Sequence, residues 1–240
     1  VIIHPLPVVN LTSSDADNII CDGDSIIFTA SSVGLANYEF FVNGNAVQNG
    51  ASNVWATNSL ADGDNIHVIG TSSDGCVSGA SNSLTVTVNP LPAASLAASP
   101  DPICEGDVTT LTATPAGFDN YTFYDGAAIL QNGSSNTFIT SALTAGNSLT
   151  VIPENLGCTG NTSTVVTVTV NPIPQVTLTT ANDTICDGDA FTATASPVGY
   201  DNYEFFLNGN SVQNGSGEVY NSSAQALSLI HISEPTRPED

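Results

Sequence analysis

The chain has 240 residues, of which 41% are hydrophobic, and this is enough for two or three packed domains. It carries 23 acidic residues and a single basic one, Arg237, so it cannot neutralise phosphates, and nucleic-acid binding is excluded. No run of about 18 apolar residues occurs, so the sequence predicts no membrane span. The chain has no methionine and begins at Val1 inside a strand-like run, and we therefore expect it to be an internal piece of a longer protein.

One segment occurs three times, as Asn37–Gly50, Asn120–Gly133 and Asn202–Gly215. A period of roughly 80 residues is the size of a domain, so the chain is predicted to be a tandem array of one module. Pro-x-Pro motifs mark the junctions, because proline stiffens a short linker. The predicted divisions are the end of a preceding repeat (1–4), repeat one (5–89), repeat two (90–171), a truncated repeat three (172–226) and a tail (227–240).

Each repeat reads as a series of short strands separated by turns. Tyr38 and Phe40 fall on one face of the strand that opens the repeated segment, and Glu39 and Phe41 fall on the other. Asn43-Gly44-Asn45 supplies a tight turn after this strand. Seven such strands in one repeat predict an all-β fold of tandem immunoglobulin-like seven-stranded β-sandwiches, arranged end to end. In repeat one the predicted strands are A (Val8–Ser13), B (Ser25–Ser31), C with its return strand (Asn37–Gln48), E (Asn53–Ser59), F (Asn65–Ser72) and G (Ser83–Val88).

The third repeat stops matching the pattern near Ala226, before strands F and G and the second cysteine. We therefore expect an incomplete sandwich with open strand edges. The segment Leu227–Arg237, LSLIHISEPTR, resembles the translation of a transposon-type sequencing adapter. Residues 227–240 are accordingly left out of the fold prediction.

The repeated motifs together resemble a known family. ICxGD, YxFFxNG, the later Gly-Cys and TVTVNPxP are similar to the Ig-like or PKD-like repeats of Bacteroidetes secreted cell-surface proteins of the gliding-adhesin type. The resemblance covers Val1–Ala226 and implies a secreted, extracellular cell-surface protein. The sorting domain of that family is not found in this sequence, so export and anchoring are expected by analogy alone.

Four cysteines are disulfide candidates, namely Cys21, Cys76, Cys104 and Cys158. Their regular spacing in a chain of this kind indicates disulfides. Pairing within repeats gives Cys21–Cys76 and Cys104–Cys158, but strand polarity places those partners at opposite ends of a sandwich, roughly 20 Å apart, beyond the ~7 Å that a disulfide spans. Pairing between neighbouring repeats gives Cys21–Cys158. Both pairings, and free thiols, stay open at this point, and Cys186 has no partner in either scheme.

Acidic turns recur in the repeats and raise the possibility of calcium. Asp22, Asp24, Asp62 and Asp64 lie on turns predicted at one end of repeat one, where hard oxygen ligands could bind calcium. The competing interpretation is that these acids form turns on a solvated acidic surface. It is supported by the second turn of repeat two, Thr144–Asn147, which has no acid.

Phe41, Tyr124 and Phe206 are the outward aromatic residues of the repeated strand, and they could stack on sugars or meet a partner. The alternative is that the return strand covers these aromatic side chains, so that they are not available to a ligand. No catalytic motif is found: His4 and His67 lie apart, without a nucleophile, and no metal-protease or phosphate-binding signature occurs. No cofactor other than calcium is expected.

These observations favour a non-catalytic structural or adhesive region, a stalk or adhesin, that is a monomeric rod and could bind a surface glycan or protein ligand. The alternative is a set of accessory or carbohydrate-binding repeats belonging to a secreted enzyme. Flanking sequence would separate the two, because further repeats favour the first and a catalytic domain favours the second.

Overall fold

The computed structural model describes residues 2–182, 184–186, 188–222 and 230–232, and every regular element in these residues is a β-strand. The chain divides into two compact units, Val1–Val170 and Asn171–Asp240. The first unit holds repeats one and two, and the second holds repeat three. The predicted fold class, all-β with tandem Ig-like sandwiches, is confirmed.

Repeat one is a sandwich of two antiparallel sheets. One sheet has the order β1-β3-β6 and the other β5-β4-β7-β8, while β2 pairs with β9 in parallel. This is the arrangement in which strands A, B and E face strands C, F and G. The strands are β1 (Leu11–Ser13), β2 (Ile19–Cys21), β3 (Ile26–Ala30), β4 (Asn37–Val42), β5 (Asn45–Gly50), β6 (Val54–Thr57), β7 (Asn65–Thr71), β8 (Leu84–Thr85) and β9 (Thr87–Asn89).

The core of repeat one follows the period-2 pattern of its strands. Tyr38 and Phe40 on β4 are buried, as predicted, and face Phe28 on β3. The Trp55 ring is half-buried and stacks on Phe28 with ring centroids 5.5 Å apart. Burial of these large rings is the main stabilisation of so small a sandwich, because each removes a large apolar area from water.

Repeat two has the same architecture. Its sheets are β10-β12-β15 and β14-β13-β16-β17, with β11 paired to β18. Its core is a separate cluster around Tyr121, Phe123, Leu111 and Val151. The strands are β10 (Ser95–Ser99), β11 (Ile103–Cys104), β12 (Thr109–Thr114), β13 (Asn120–Asp125), β14 (Ala128–Gly133), β15 (Thr137–Thr140), β16 (Leu149–Asn155), β17 (Cys158–Thr159) and β18 (Val170–Asn171).

Repeat three has a smaller core around Ala193, Ala195, Tyr203 and Phe205. Its sheets are β19-β20-β23 and β22-β21-β24. The strands are β19 (Thr177–Thr180), β20 (Thr192–Ser196), β21 (Tyr203–Leu207), β22 (Asn210–Gly215), β23 (Val219–Asn221) and β24 (Ile230–Ile232).

The structure differs from the sequence prediction at β24. The prediction left this segment out of the fold and left β21 with an open edge. In the structure β24 is antiparallel to β21, with Phe205 opposite Ile232, as β7 is antiparallel to β4. An Ile-His-Ile run has strand propensity, and the unpaired backbone of an edge strand accepts such a segment. Asp187, the remainder of the tail and residues 223–226 lie outside the described residues.

Candidate functional site: the junction between repeats one and two

Cys21 lies at the end of repeat one because β2 belongs to neither main sheet and pairs instead with β9. Cys21 lies opposite Asn89, the last residue of β9. A tight turn then fixes the cysteine: its N–H donates to Asp24 Oδ2 at 3.2 Å, and the Asp24 N–H donates to its carbonyl oxygen at 2.9 Å. Gly23 has φ +85°, which a glycine adopts without strain.

Cys158 is presented by a hairpin of repeat two, formed by β16 and β17. The two turn residues, Leu156 and Gly157, have φ +52° and +78°, as the two-residue turn of such a hairpin requires. The Leu156 N–H donates to Asp119 Oδ2 at 2.7 Å, which holds the unusual leucine conformation. Cys158 follows the turn and is 1% exposed.

Cys21 and Cys158 form a disulfide with their Cα atoms 5.6 Å apart. This is the pairing between neighbouring repeats. The pairing within repeats is not formed, and Cys76 and Cys104 are free thiols, as is Cys186. The reason is strand polarity, because the A–B turn of one sandwich meets the F–G hairpin of the next, whereas the two cysteines of one sandwich lie at opposite ends.

Non-covalent contacts accompany the disulfide at this junction. Asn89 Nδ2 donates to the carbonyl oxygen of Leu156 at 3.2 Å, from repeat one to the hairpin of repeat two. Pro92, at the end of the Pro-x-Pro linker, is buried. A Cβ atom built on Gly160 would lie 1.9 Å from the Pro92 carbonyl oxygen, so glycine alone permits this close approach.

The junction therefore has two covalent connections, the Pro-x-Pro linker and the disulfide. One connection would allow the two sandwiches to pivot about it, whereas two restrict that rotation.

The four candidate calcium ligands lie in turns, where three of the carboxylates accept hydrogen bonds from the chain. Asp24 binds the Cys21 N–H, Asp62 Oδ1 accepts from the Val88 N–H at 3.0 Å, and Asp64 accepts from the Ala61 N–H at 2.8 Å. Asp22 is exposed at the turn tip. Within the described residues no three acidic, histidine or cysteine side chains converge on a point that could hold a metal ion. Calcium binding stays a prediction.

Asp15 and Asp17, in the loop between β1 and β2, hydrogen-bond each other. The hydrogen bond with the Asp17 side chain lowers the pKa of Asp15 below its ordinary value, and backbone N–H groups act in the same direction. One of these is the Asp17 N–H, 3.2 Å from Asp15 Oδ1. These contacts are local to the loop between β1 and β2.

Phe41, Tyr124 and Phe206 are all half-buried and each directly follows a β-bulge. Phe41 stacks on His67 with centroids 4.8 Å apart and an interplanar angle of 4°. In repeat two Tyr124 lies between Ile129 and Thr150 on the neighbouring strands. The aromatic position is thus repeated, but its surroundings are not, and ligand binding there stays a prediction.

Sequence reasoning missed Asn89, Leu156 and Gly160. The only sequence signal for Asn89 was its position before Pro90. The only signal for Gly160 was its position two residues after Cys158. Neither signal reveals a contact, because the partners become neighbours only when the hairpin of one repeat meets the linker before it.

The fold and the junction define a class of protein: tandem immunoglobulin-like β-sandwich repeats with a disulfide between successive repeats. Residues 92–172, which cover repeat two, match the model of the family described as Ig-like domain CHU_C associated. No curated protein matches the chain. In the described residues no helix is long and apolar enough to cross a bilayer.

Three solved structures illustrate the fold-level likeness. The fibronectin(III)-like modules of Clostridium thermocellum CbhA are 14% identical, covering 68% of this chain and 94% of theirs with a TM-score of 0.42. A marsupial T cell receptor is 11% identical, covering 89% and 92% with a TM-score of 0.47. A 1.5-MDa bacterial ice-binding adhesin is 14% identical, covering 90% and 86% with a TM-score of 0.33. No functional inference rests on likenesses of this size.

Proposed function

We propose that this chain is a non-catalytic stalk region of a large secreted bacterial cell-surface protein, in which Ig-like repeats hold a binding region away from the cell. The observation that carries the proposal is the Cys21–Cys158 disulfide between successive repeats. A structural disulfide belongs to a protein that folds in an oxidising compartment, which favours export. A second covalent connection beside a proline linker stiffens the junction, as a spacer requires.

Composition supports the same function. With 23 acidic residues against one basic residue the surface repels itself and stays soluble, which suits an extended monomeric rod. The match of repeat two to an Ig-like domain family agrees with a structural role, because such domains are commonly built into extracellular arrays.

The proposal is tested by labelling intact cells of the source organism with antibodies raised against the purified chain. We expect surface labelling without permeabilisation, and loss of the epitope when intact cells are treated with protease. Labelling that requires permeabilisation would overturn the proposal.

A second candidate, carbohydrate-binding repeats of a secreted enzyme, has one supporting observation: the half-buried aromatic residue that recurs at Phe41, Tyr124 and Phe206. A glycan array probed with the whole chain tests it. Binding that is lost in Tyr124→Ala and kept in the more conservative Tyr124→Phe would favour this candidate over a plain stalk.

A further inference from the structure

The F–G hairpin of repeat one resembles the hairpin of repeat two that carries Cys158, with three turn residues between Ser72 and Cys76 in place of the two between Asn155 and Cys158. In both, a glycine with positive φ directly precedes the cysteine: Gly75 at +80° before Cys76, and Gly157 at +78° before Cys158. In each hairpin the residue two positions after the cysteine donates a backbone hydrogen bond to the preceding strand. The Ser78 N–H donates to the Gly70 carbonyl oxygen, and the Gly160 N–H donates to that of Pro153, each at 2.8 Å.

The linker before each repeat contacts its hairpin at the same place. His4-Pro5-Leu6-Pro7 corresponds to Asn89-Pro90-Leu91-Pro92. Asn89 Nδ2 donates to Leu156, the residue before the Gly157-Cys158 pair. His4 Nδ1 lies 3.0 Å from Oδ2 of Asp74, the residue before the Gly75-Cys76 pair. The chain preceding repeat one therefore contacts the residue before the Gly-Cys pair, as it does at the bonded junction, although Ser78 occupies the position at which Gly160 lies against Pro92.

The two hairpins differ in what covers the cysteine. Cys158 is 1% exposed because repeat one lies over it, whereas Cys76 is a half-buried free thiol. The complementary half of the junction is a Cys-x-Gly-Asp turn, and this chain has three. In each, the aspartate accepts from the cysteine N–H, at 3.2 Å for Cys21, 3.1 Å for Cys104 and 3.2 Å for Cys186.

We propose that the hairpin of repeat one is a docking site for the Cys-x-Gly-Asp turn of another repeat of this kind, and that Cys76 forms a disulfide with the cysteine of that turn. The two thiols lose two protons and two electrons to a disulfide oxidant, such as a thiol oxidoreductase or oxidised glutathione, which is reduced to two thiols. The inference goes beyond the stalk proposal, because the disulfide partner that it assigns to Cys76 does not depend on the function of the repeats.

The test places a second copy of residues 5–89 directly before Pro5 of the chain, which recreates the sequence Asn-Pro-Leu-Pro at the new junction. The copy carries Cys76→Ser, so that the only Cys76 in the fusion is the original one. It also carries Ser25→Thr at an exposed position, so that the peptide containing its Cys21 has a distinct mass. The chain is refolded in a glutathione redox buffer, alkylated and mapped by mass spectrometry.

We expect a disulfide peptide that joins Cys76 to the marked Cys21 of the copy, together with the unmarked Cys21–Cys158 peptide, which reports that repeats one and two have folded. A chain with the Cys21–Cys158 bond in which Cys76 is alkylated, or bonded elsewhere, would overturn the inference. These outcomes do not depend on cell-surface location, so failure here is distinct from failure of the stalk proposal.

If the first chain lacks the Cys21–Cys158 peptide, the added copy is residues 5–171, again with Cys76→Ser. This copy brings its own complete junction and offers its Cys104 turn to Cys76. A Cys104–Cys76 peptide supports the inference, and an alkylated Cys76 rejects it.

Discussion

The carbonyl oxygen of Pro92 lies 1.9 Å from the place that a Cβ atom would occupy on Gly160. Real Cβ atoms do not approach a backbone oxygen so closely, so a side chain at this position must move the linker or the hairpin. The close approach belongs to the junction at which the disulfide forms.

Gly160→Ala is therefore expected to destabilise the first unit by about 1–3 kcal/mol, as overpacking does elsewhere. Thermal unfolding followed by circular dichroism measures the change. Gly133→Ala is the matched control in the same repeat, since nothing lies within 4 Å of its Cβ position. Equal melting temperatures for the two variants would contradict the close contact.

Cys158→Ser is expected to lower the stability of the first unit by up to about 4–5 kcal/mol, the loop-closure value for a link across a long segment. It should also broaden the distribution of distances between dyes placed on repeats one and two, measured by single-molecule energy transfer. The control is Cys76→Ser, which removes a free thiol and should change stability by less than about 0.5 kcal/mol. A control that loses as much stability as Cys158→Ser would reject the assigned disulfide.

Tyr121→Phe is expected to cost about 1–2 kcal/mol, because the buried hydroxyl makes two hydrogen bonds. It donates to the Pro115 carbonyl oxygen at 2.7 Å and accepts from the Phe118 N–H at 3.1 Å. The same bridge occurs at Tyr38 and Tyr203. Chemical denaturation measures the loss, with Tyr124→Phe as the comparison at a half-buried side chain. No difference between the two variants would show that the bridge contributes little.

Asp24→Ala is expected to slow formation of the Cys21–Cys158 disulfide during refolding, because the turn loses the carboxylate that binds the Cys21 N–H. Asp24→Asn keeps an acceptor oxygen and should retain most of the rate. The readout is the fraction of alkylated Cys158 over time. A rate for Asp24→Ala equal to that of the unsubstituted chain would mean that the turn forms without the carboxylate.

The calcium hypothesis makes its own prediction at the same turns. If Asp22, Asp24, Asp62 and Asp64 bind calcium, millimolar calcium should raise the melting temperature, and Asp62→Asn should abolish the rise. If the acids serve only as turn formers, calcium should leave the melting temperature unchanged in both proteins. Isothermal titration of the whole chain with calcium provides the second readout.

Removal of residues 223–240 is expected to expose the edge of β21, because β24 pairs with it. Amide hydrogen exchange of Phe205 and Leu207 should become faster, while the amides of β13 in repeat two keep their protection. Unchanged exchange at β21 would mean that the tail strand adds no stability to repeat three.

The strand pattern of repeats one and two was predictable because it is local. Tyr38 and Phe40 are both buried, as the alternation predicted, and the paired sheets follow from seven short strands with turns between them. The sequence prediction left β24 out of the fold because the match to the repeat had ended before it. In the structure this segment pairs with the open edge of β21.

The sequence by itself determined the repeat architecture, the β class and the limits set by an acidic chain. It also identified four disulfide candidates from the regular spacing of the cysteines, but it left two pairings and free thiols open. Only the tertiary structure decided between the two pairings: Cys21 and Cys158 are far apart along the chain, and their Cα atoms come within 5.6 Å because one repeat stacks its hairpin on the end of another. The contacts of Asn89 and Gly160 depend on the same stacking, which no local pattern of residues encodes.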